Sequence, residues 1–264
     1  MESTEHLTFT REGATAIVTM NRPEAKNALS FPMLVGMADA WEEIDNNEDI
    51  RCAILTGAGG TFCSGMDLKS QGGPESEKYA ARREADPDLH WKALLRHYDV
   101  KKPLIAAVEG WAVAGGTEIL QATDIRVAGE SAVFGVFEAK RGLFPLGGST
   151  VRLRRQIPFT VAMDLLLTAR AVPADEALRI GLIGHVVPDG TALEKALEIA
   201  EVIGQNGPLA VEAIKRSVRE TEGMSEVDGL ARELEIGWPI FSTKDAAEGQ
   251  TAFAEKRPAR FTRQ

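Results

Sequence analysis

Hydrophobic positions fall into two rhythms along this chain. ATAIVTM, from Ala14 to Met20, is a near-continuous apolar run, and a shorter stretch precedes it near Leu7 to Thr10; both read as strands. Cys52 to Leu55 is another compact apolar run, closed by the turn-forming TGAGG, and predicts a buried strand. Pro103 opens a further strand, LIAAVEG, and Ile125 to Ala128 repeats the pattern. Between the strands the period changes. Leu34, Met37, Ala38 and Trp41 recur at helical spacing after Ser30, which predicts a helix from Phe31 towards Asn46 with Ser30 as its cap. Trp91, Leu94, Leu95 and Tyr98 predict a second helix, and Gly115-Gly116 stands at the mouth of a third that carries Glu118. Strands alternating with helices define an α/β class with parallel pairing.

After Ala174 the pattern turns mostly helical. Helices are expected over Thr191 to Gln205, capped by Thr191, then Leu209 to Glu222, Glu226 to Phe241 and Lys244 to Glu255. A boundary near residue 200 separates an α/β core, residues 1–200, from a helical module, residues 201–264. Residues 71 to 88, rich in Gly, Pro and charge, predict a mobile loop.

Composition narrows the function. A formal charge of -9 declares no basic face for nucleic acid, although a few gathered Lys and Arg still allow an anionic ligand. Cys52 and Cys63 are the two cysteines, without metal-ligand spacing, and suggest a reducing compartment. The polar, acidic start MESTEHLTFTREG has neither the apolar core of a secretory signal nor the acid-poor character of a transit peptide. No apolar run approaches the length of a membrane span, so a cytoplasmic protein is expected.

Candidate chemistry lies in three glycine-rich phrases. AVEGWAVAGGTE ends in Glu118, SAVFGVFE ends in Glu138, and ILTGAGGTFCSG leads to Gly65. The first N–H groups of a helix lack internal partners, and glycine lets a ligand reach them, so Gly115 and the N–H of Met66 are candidates to hold a developing oxyanion. Gly115-Gly116 is equally open to a packing role. Glu118 sits in an apolar stretch, where a carboxylate needs a partner or a catalytic purpose. Glu138 is open to a solvated role beside Lys140 and Arg141, and Asp67 to capping a following helix. Other chemistries find less support. GAGGTF completes no phosphate-binding fingerprint, Cys63 has no histidine nearby, and Ser149 in LGGST is outside a nucleophile elbow. His6, His90, His97 and His185 show no metal spacing.

Taken together, the chain resembles the crotonase, or enoyl-CoA hydratase/isomerase, superfamily, and most nearly its actinobacterial-type hydratases. MNRPEAKNALS, GTFCSGMDL, AAVEGWAVAGGTEILQATDIRVA, FGVFEAKRGLFPLGGSTVRLRRQI and AFAEKRPARF carry the resemblance, in the family's order. It implies a superhelical core of ββα turns and a helical C-terminal trimerisation module. It implies an acyl-CoA thioester substrate, with its carbonyl oxygen on the N–H of Met66 and Gly115 and with Glu118 and Glu138 as the acid/base pair. Lys26, Lys69 and Lys256 match positions at or near the coenzyme A phosphates. Ser64, Gly65, Asp67, Leu68 and Phe253 fall in the matched substrate-binding segments. Met66 and Ser64 depart from the small residues usual there, which bears on pocket width, and some members of that branch act on steroid side-chain thioesters.

The reaction implied is addition of water to a trans-2-enoyl-CoA, giving 3-hydroxyacyl-CoA, with no metal or further cofactor and no membrane or nucleic-acid partner. Which glutamate is acid and which is base stays open. The alternatives are a Δ3,Δ2-enoyl-CoA isomerase, which needs one carboxylate, and a non-catalytic RNA-binding or scaffolding homologue. The last would need a lysine-rich surface helix, and Arg152 to Arg155 (RLRR) is too short for one. Apolar residues between Leu209 and Ile236 exceed what a thin module buries alone, so a homotrimer or homohexamer is expected.

Overall fold

The computed structural model describes residues 4–68 and 79–264. The apolar runs form a six-stranded sheet. β1 (Leu7–Glu12) pairs antiparallel with β2 (Thr15–Met20). β2 is followed in parallel by β3 (Cys52–Gly57), β4 (Leu104–Val108), β6 (Ile125–Gly129) and the short β9 (His185–Val187). Parallel strands covered on both faces carry unbroken apolar runs, and every residue of β4 is buried. A second sheet joins β5 (Trp111–Val113), β7 (Val133–Gly135) and β8 (Val172–Pro173), with β5 and β7 parallel. Two successive turns, β4 with β5 and β6 with β7, thus each contribute one strand to the large sheet and one to the small sheet before the next helix. This is the superhelical α/β arrangement expected from the resemblance.

Helix α1 (Phe31–Asn46) begins where Ser30 accepts the N–H of Met33, as its cap position predicts, and the same hydroxyl meets His6 Nδ1 at 2.7 Å. Its apolar face is buried, with Phe31 at the first position partly so. Trp41 has no exposed surface, and its indole N–H donates to Ala93 O at 3.0 Å. α2 (Ala80–Ala85) and α3 (Leu89–Ala93) fall within and beside the stretch read as loop. Residues 69–78, including Lys69, lie outside the described residues. The helix expected around Trp91 to Tyr98 stops at Ala93, because Leu95 takes a left-handed φ of 53°.

The remaining helices are α4 (Gly115–Leu120), α5 (Ser149–Gln156), α6 (Phe159–Thr168), α7 (Ala174–Arg179) and α8 (Ala192–Gly204). After α8 come α9 (Pro208–Glu220), α10 (Glu226–Gly237) and α11 (Lys244–Glu255). Thr191 precedes α8 without capping it; its hydroxyl donates back to Pro188 O at 2.7 Å, which is a tighter local partner. Small residues Ala192, Ala196 and Ala200 let α8 lie close on the outer face of the large sheet against Ile54, Ile105 and Val127. α10 ends at Gly237, and Trp238 to Ser242 tightens into a 3-10 turn in which Pro239 removes one donor. α9 buries one residue, Pro208, and α10 buries one, Ile236, while Ile214, Val218, Leu230 and Leu234 are exposed.

Candidate active site

The three glycine-rich phrases converge where the two sheets meet. Cys63 N–H donates to Trp111 O and Val113 N–H donates to Cys63 O, which ties the loop after β3 to β5. Leu29 N–H donates to Gly65 O, and Asp67 N–H donates to Leu29 O, holding Met66 between them. Among the described residues, the N–H groups of Met66 and Gly115 donate to no acceptor. They are close neighbours: a Cβ on Gly115 would lie 3.7 Å from Met66 N, and one on Gly65 would lie 3.3 Å from Gly115 N. Gly65 has φ +96°, and a Cβ there would stand 2.8 Å from that of Ala114. Ala114 itself holds φ 51° and ψ -125°, a conformation natural to glycine, so backbone strain sits beside the paired donors. Gly116 has the packing role, since a Cβ at that position would strike Cys63 O.

Several residues that hold this loop gave no chemical signal in the sequence. Asn27 is fully buried. Its amide donates to Ala58 O at 2.9 Å and Thr61 O at 2.5 Å, and its carbonyl accepts from Arg22 N at 2.8 Å. Arg22 bridges Asp67 at 2.9 Å and Ala28 O at 3.0 Å. The helix that Asp67 was expected to cap lies outside the described residues. Ser64 N–H donates to Lys26 O, and Lys26 is exposed at a left-handed turn with φ 51°. Met66 and Leu68 are exposed at the loop's rim.

The two glutamates ride on segments stitched to one another. Gly135 N–H donates to Thr117 Oγ1 at 3.1 Å, and Ala114 N–H donates to Gly135 O at 2.7 Å. Glu118, 5% exposed, points from the first turn of α4 to the start of α5. There Ser149 N–H donates to Oε1 at 3.2 Å. Burial raises the Glu118 pKa above the usual carboxylate range, while the N–H groups of Ser149, Gly147 and Gly148 oppose that shift. Glu138 begins the 3-10 turn Glu138–Arg141. Its Oε2 is buried and has no hydrogen-bond partner among the described residues. Burial, reinforced by the negative charge of Glu118, pushes its pKa up to about 7. Cys63 is fully buried, and burial pushes its thiol up to about 12, which removes it as a nucleophile.

Phe253 is 87% exposed, and Lys256 closes α11 in a left-handed conformation with φ 55°. Both belong to a helix tied to the C-terminal tail: Asp245 accepts the N–H groups of Thr262 and Arg263, and Arg257 pairs with Glu248. The bonds described within the chain do not draw them to the paired donors. Among the described residues, no group of three or more His, Cys, Asp or Glu side chains is placed to hold a metal ion, and no helix is long and apolar enough to cross a membrane.

A fold of this kind, with paired backbone donors, a buried carboxylate at Glu118 and a half-buried one at Glu138, defines an acyl-thioester enzyme of the crotonase type. A family model for enoyl-CoA hydratase/isomerase matches residues 10–264. The enoyl-CoA hydratase EchA19 of Mycobacterium tuberculosis is 58% identical over 252 residues, covering 95% of this chain and 94% of that protein. The short-chain-enoyl-CoA hydratase of Clostridium acetobutylicum is 39% identical, covering 94% of each. A crystal structure of an enoyl-CoA hydratase from Mycobacterium tuberculosis superposes with a TM-score of 0.88 at 40% identity, covering 99% of this chain and 100% of that one. The chain belongs to the enoyl-CoA hydratase/isomerase family. Its activity is that of an enoyl-CoA hydratase, a carbon–oxygen lyase.

Proposed function

We propose that the two glutamates divide the hydration between them, with Glu118 as base and Glu138 as acid. The observation that carries this is the asymmetry of their surroundings. Glu118 accepts N–H groups at the start of a helix, which favours its charged form. Glu138 has a buried oxygen with no donor among the described residues and a pKa of about 7, so it keeps its proton well above the ordinary carboxylate range. Pairs of carboxylates whose environments separate their titrations take opposite roles.

The thioester oxygen accepts the N–H groups of Met66 and Gly115, which draws electrons from C3. Water forms the C3–O bond while Glu118 takes its proton. The electron pair of the double bond moves to C2 and the thioester oxygen, and Glu138 delivers its proton to C2. One proton then passes from Glu118 back to Glu138 and restores the enzyme. The balance needs water alone, and coenzyme A enters as part of the substrate. Each oxyanion donor contributes about 3 kcal/mol to the transition state, and acid/base transfer adds a factor of roughly 10²–10⁴.

The wider reading follows from the same site. Ser64, Gly65, Asp67 and Leu68 form the wall beside the acyl thioester. Lys26, Lys69 and Lys256 supply positive charge for the coenzyme A phosphates on an acidic protein. Residues 201–264, including Phe253, form an oligomerisation module that makes a homotrimer or homohexamer. The protein works in the cytoplasm, where buried free Cys52 and Cys63 stay reduced. The test is absorbance of the conjugated enoyl thioester. A trans-2-enoyl-CoA should lose it on mixing with enzyme; gain of absorbance from a 3-enoyl-CoA, without loss from the trans-2 isomer, would assign isomerisation instead.

A further inference from the structure

One buried hydroxyl ties the turn before Gly115 to the segment that carries Glu138, and the reaction as written does not use it. Thr117 lies in the first turn of α4 and is 1% exposed. Its hydroxyl donates to Ala112 O, on β5, at 2.5 Å, and lies 3.0 Å from Gly135 O, on β7. The same oxygen accepts the N–H of Gly135 at 3.1 Å. Gly135 O in turn accepts the N–H of Ala114 at 2.7 Å. Thr117, Ala112, Ala114 and Gly135 thus close a ring of hydrogen bonds around the turn that leads into Gly115.

That turn needs external support. Ala114 has φ 51° and ψ -125°, a conformation that a residue with a side chain keeps only where its surroundings fix it. The ψ of Ala114 sets the plane of the Ala114–Gly115 peptide, and with it the direction of the Gly115 N–H. A hydroxyl carries one proton and two lone pairs, so it can meet a carbonyl on one side of the turn and an N–H on the other. Gly135 precedes Glu138 on the same segment, and a Cβ there would strike the Phe137 ring, so Phe137 folds back over Gly135. We propose that Thr117 is a positioning residue for hydration: its hydroxyl, bonded to Ala112 O and to the Gly135 N–H, fixes the strained turn at Ala114 and so aims the Gly115 N–H at the thioester oxygen. The inference rests on the reading that this N–H receives that oxygen.

The test compares full-length wild type with Thr117→Val, Thr117→Ala and Thr117→Ser; the last two differ by the hydroxyl alone. One readout is kcat and KM with a trans-2-enoyl-CoA. The other is the carbon NMR resonance of hexanoyl-CoA labelled at its thioester carbonyl, a saturated probe that can be bound but not hydrated. Competitive inhibition shows that the probe is bound. In wild type the bound carbonyl should lie downfield of the free thioester, because the donors polarise it. Removing an oxyanion donor costs about 10²–10³ in kcat and a misaimed donor keeps part of that, so Thr117→Val and Thr117→Ala should lower kcat about tenfold with KM within about twofold. Their bound carbonyl should move back towards the free position. Thr117→Ser should keep the wild-type resonance and a kcat within about threefold of wild type. Wild-type kcat in Thr117→Ala, a lowered kcat with an unmoved resonance, or equal losses in the serine and alanine variants would each overturn the proposal. If Thr117→Val does not fold, alanine against serine decides; if neither valine nor alanine folds while serine does, the hydroxyl serves stability alone and the proposal fails. A wild-type carbonyl that stays at the free position refutes the reading of Gly115 as an oxyanion donor, whereas a shifted wild type with unmoved variants refutes the role of Thr117 alone.

Discussion

Gly147 approaches Glu118 so closely that a Cβ at position 147 would stand 2.6 Å from Oε2 and 2.8 Å from the carboxyl carbon. The absence of a side chain there lets the carboxylate reach the N–H groups of Gly147, Gly148 and Ser149 at the start of α5. Gly147→Ala should therefore displace the Glu118 carboxylate. The expected loss in kcat is tenfold or more, with a stability cost of about 1–3 kcal/mol from overpacking. Steady-state kinetics and thermal unfolding of the one variant check both numbers.

Removing either carboxyl proton carrier should disable the reaction while sparing substrate binding. Glu118→Gln and Glu138→Gln should each lower kcat by about 10² or more and leave KM nearly unchanged. Glu138→Gln with wild-type hydratase turnover would contradict the two-carboxylate mechanism.

The pH profile should be a bell. Activity rises as Glu118 ionises, above the ordinary carboxylate range because burial raises its pKa. It falls as Glu138 loses its proton, with a midpoint about 7. The negative charge of Glu118 supports that value, so Glu118→Gln should move the Glu138 titration down, as followed by carboxyl carbon NMR on labelled enzyme.

The same group ties stability to pH. The Glu138 pKa is raised from 4.5 to about 7 on folding, so the native state binds more protons between those values. Its contribution is fully present below 4.5 and is lost as pH rises through about 7. Glu138→Gln removes the ionisation. Its Tm relative to wild type should thus increase between pH 5 and pH 8, as differential scanning calorimetry would record; a constant gap would count against the raised titration of Glu138.

Assembly should follow from what the C-terminal helices leave open. Val211, Ile214 and Val218 line a groove of about 890 Å³ with Ile183 and Ile203, and Trp238 and Phe241 are exposed nearby in sequence. Sedimentation at micromolar concentration should show a trimer or hexamer, and Ile214→Asp/Val218→Asp should shift it towards smaller species. A stable wild-type monomer would remove the case for an oligomerisation module.

Much of this architecture was legible from periodicity. Unbroken apolar runs announced the parallel strands, and Ser30 announced the start of α1, because both depend on local pattern and one short-range hydrogen bond. The five ordered phrases were enough to identify the family and to single out Glu118 and Glu138. The helix boundaries around Leu95 and Thr191 were not legible, since each turns on a backbone angle or a competing hydrogen bond. Asn27 and Thr117 are silent in sequence, because their partners lie in other segments of the chain.

What the sequence determined by itself is which groups are present: two carboxylates, two glycine-flanked N–H donors and an α/β chain able to carry them. What the tertiary structure decided is how those groups differ. Glu118 and Glu138 have the same side chain and the same ordinary pKa. One meets the start of a helix and accepts its N–H groups, and the other keeps an oxygen buried without a donor among the described residues. Protonation depends on burial, neighbouring charge and hydrogen bonds, all of which arise only when α4, the 3-10 turn at Glu138 and α5 are packed together.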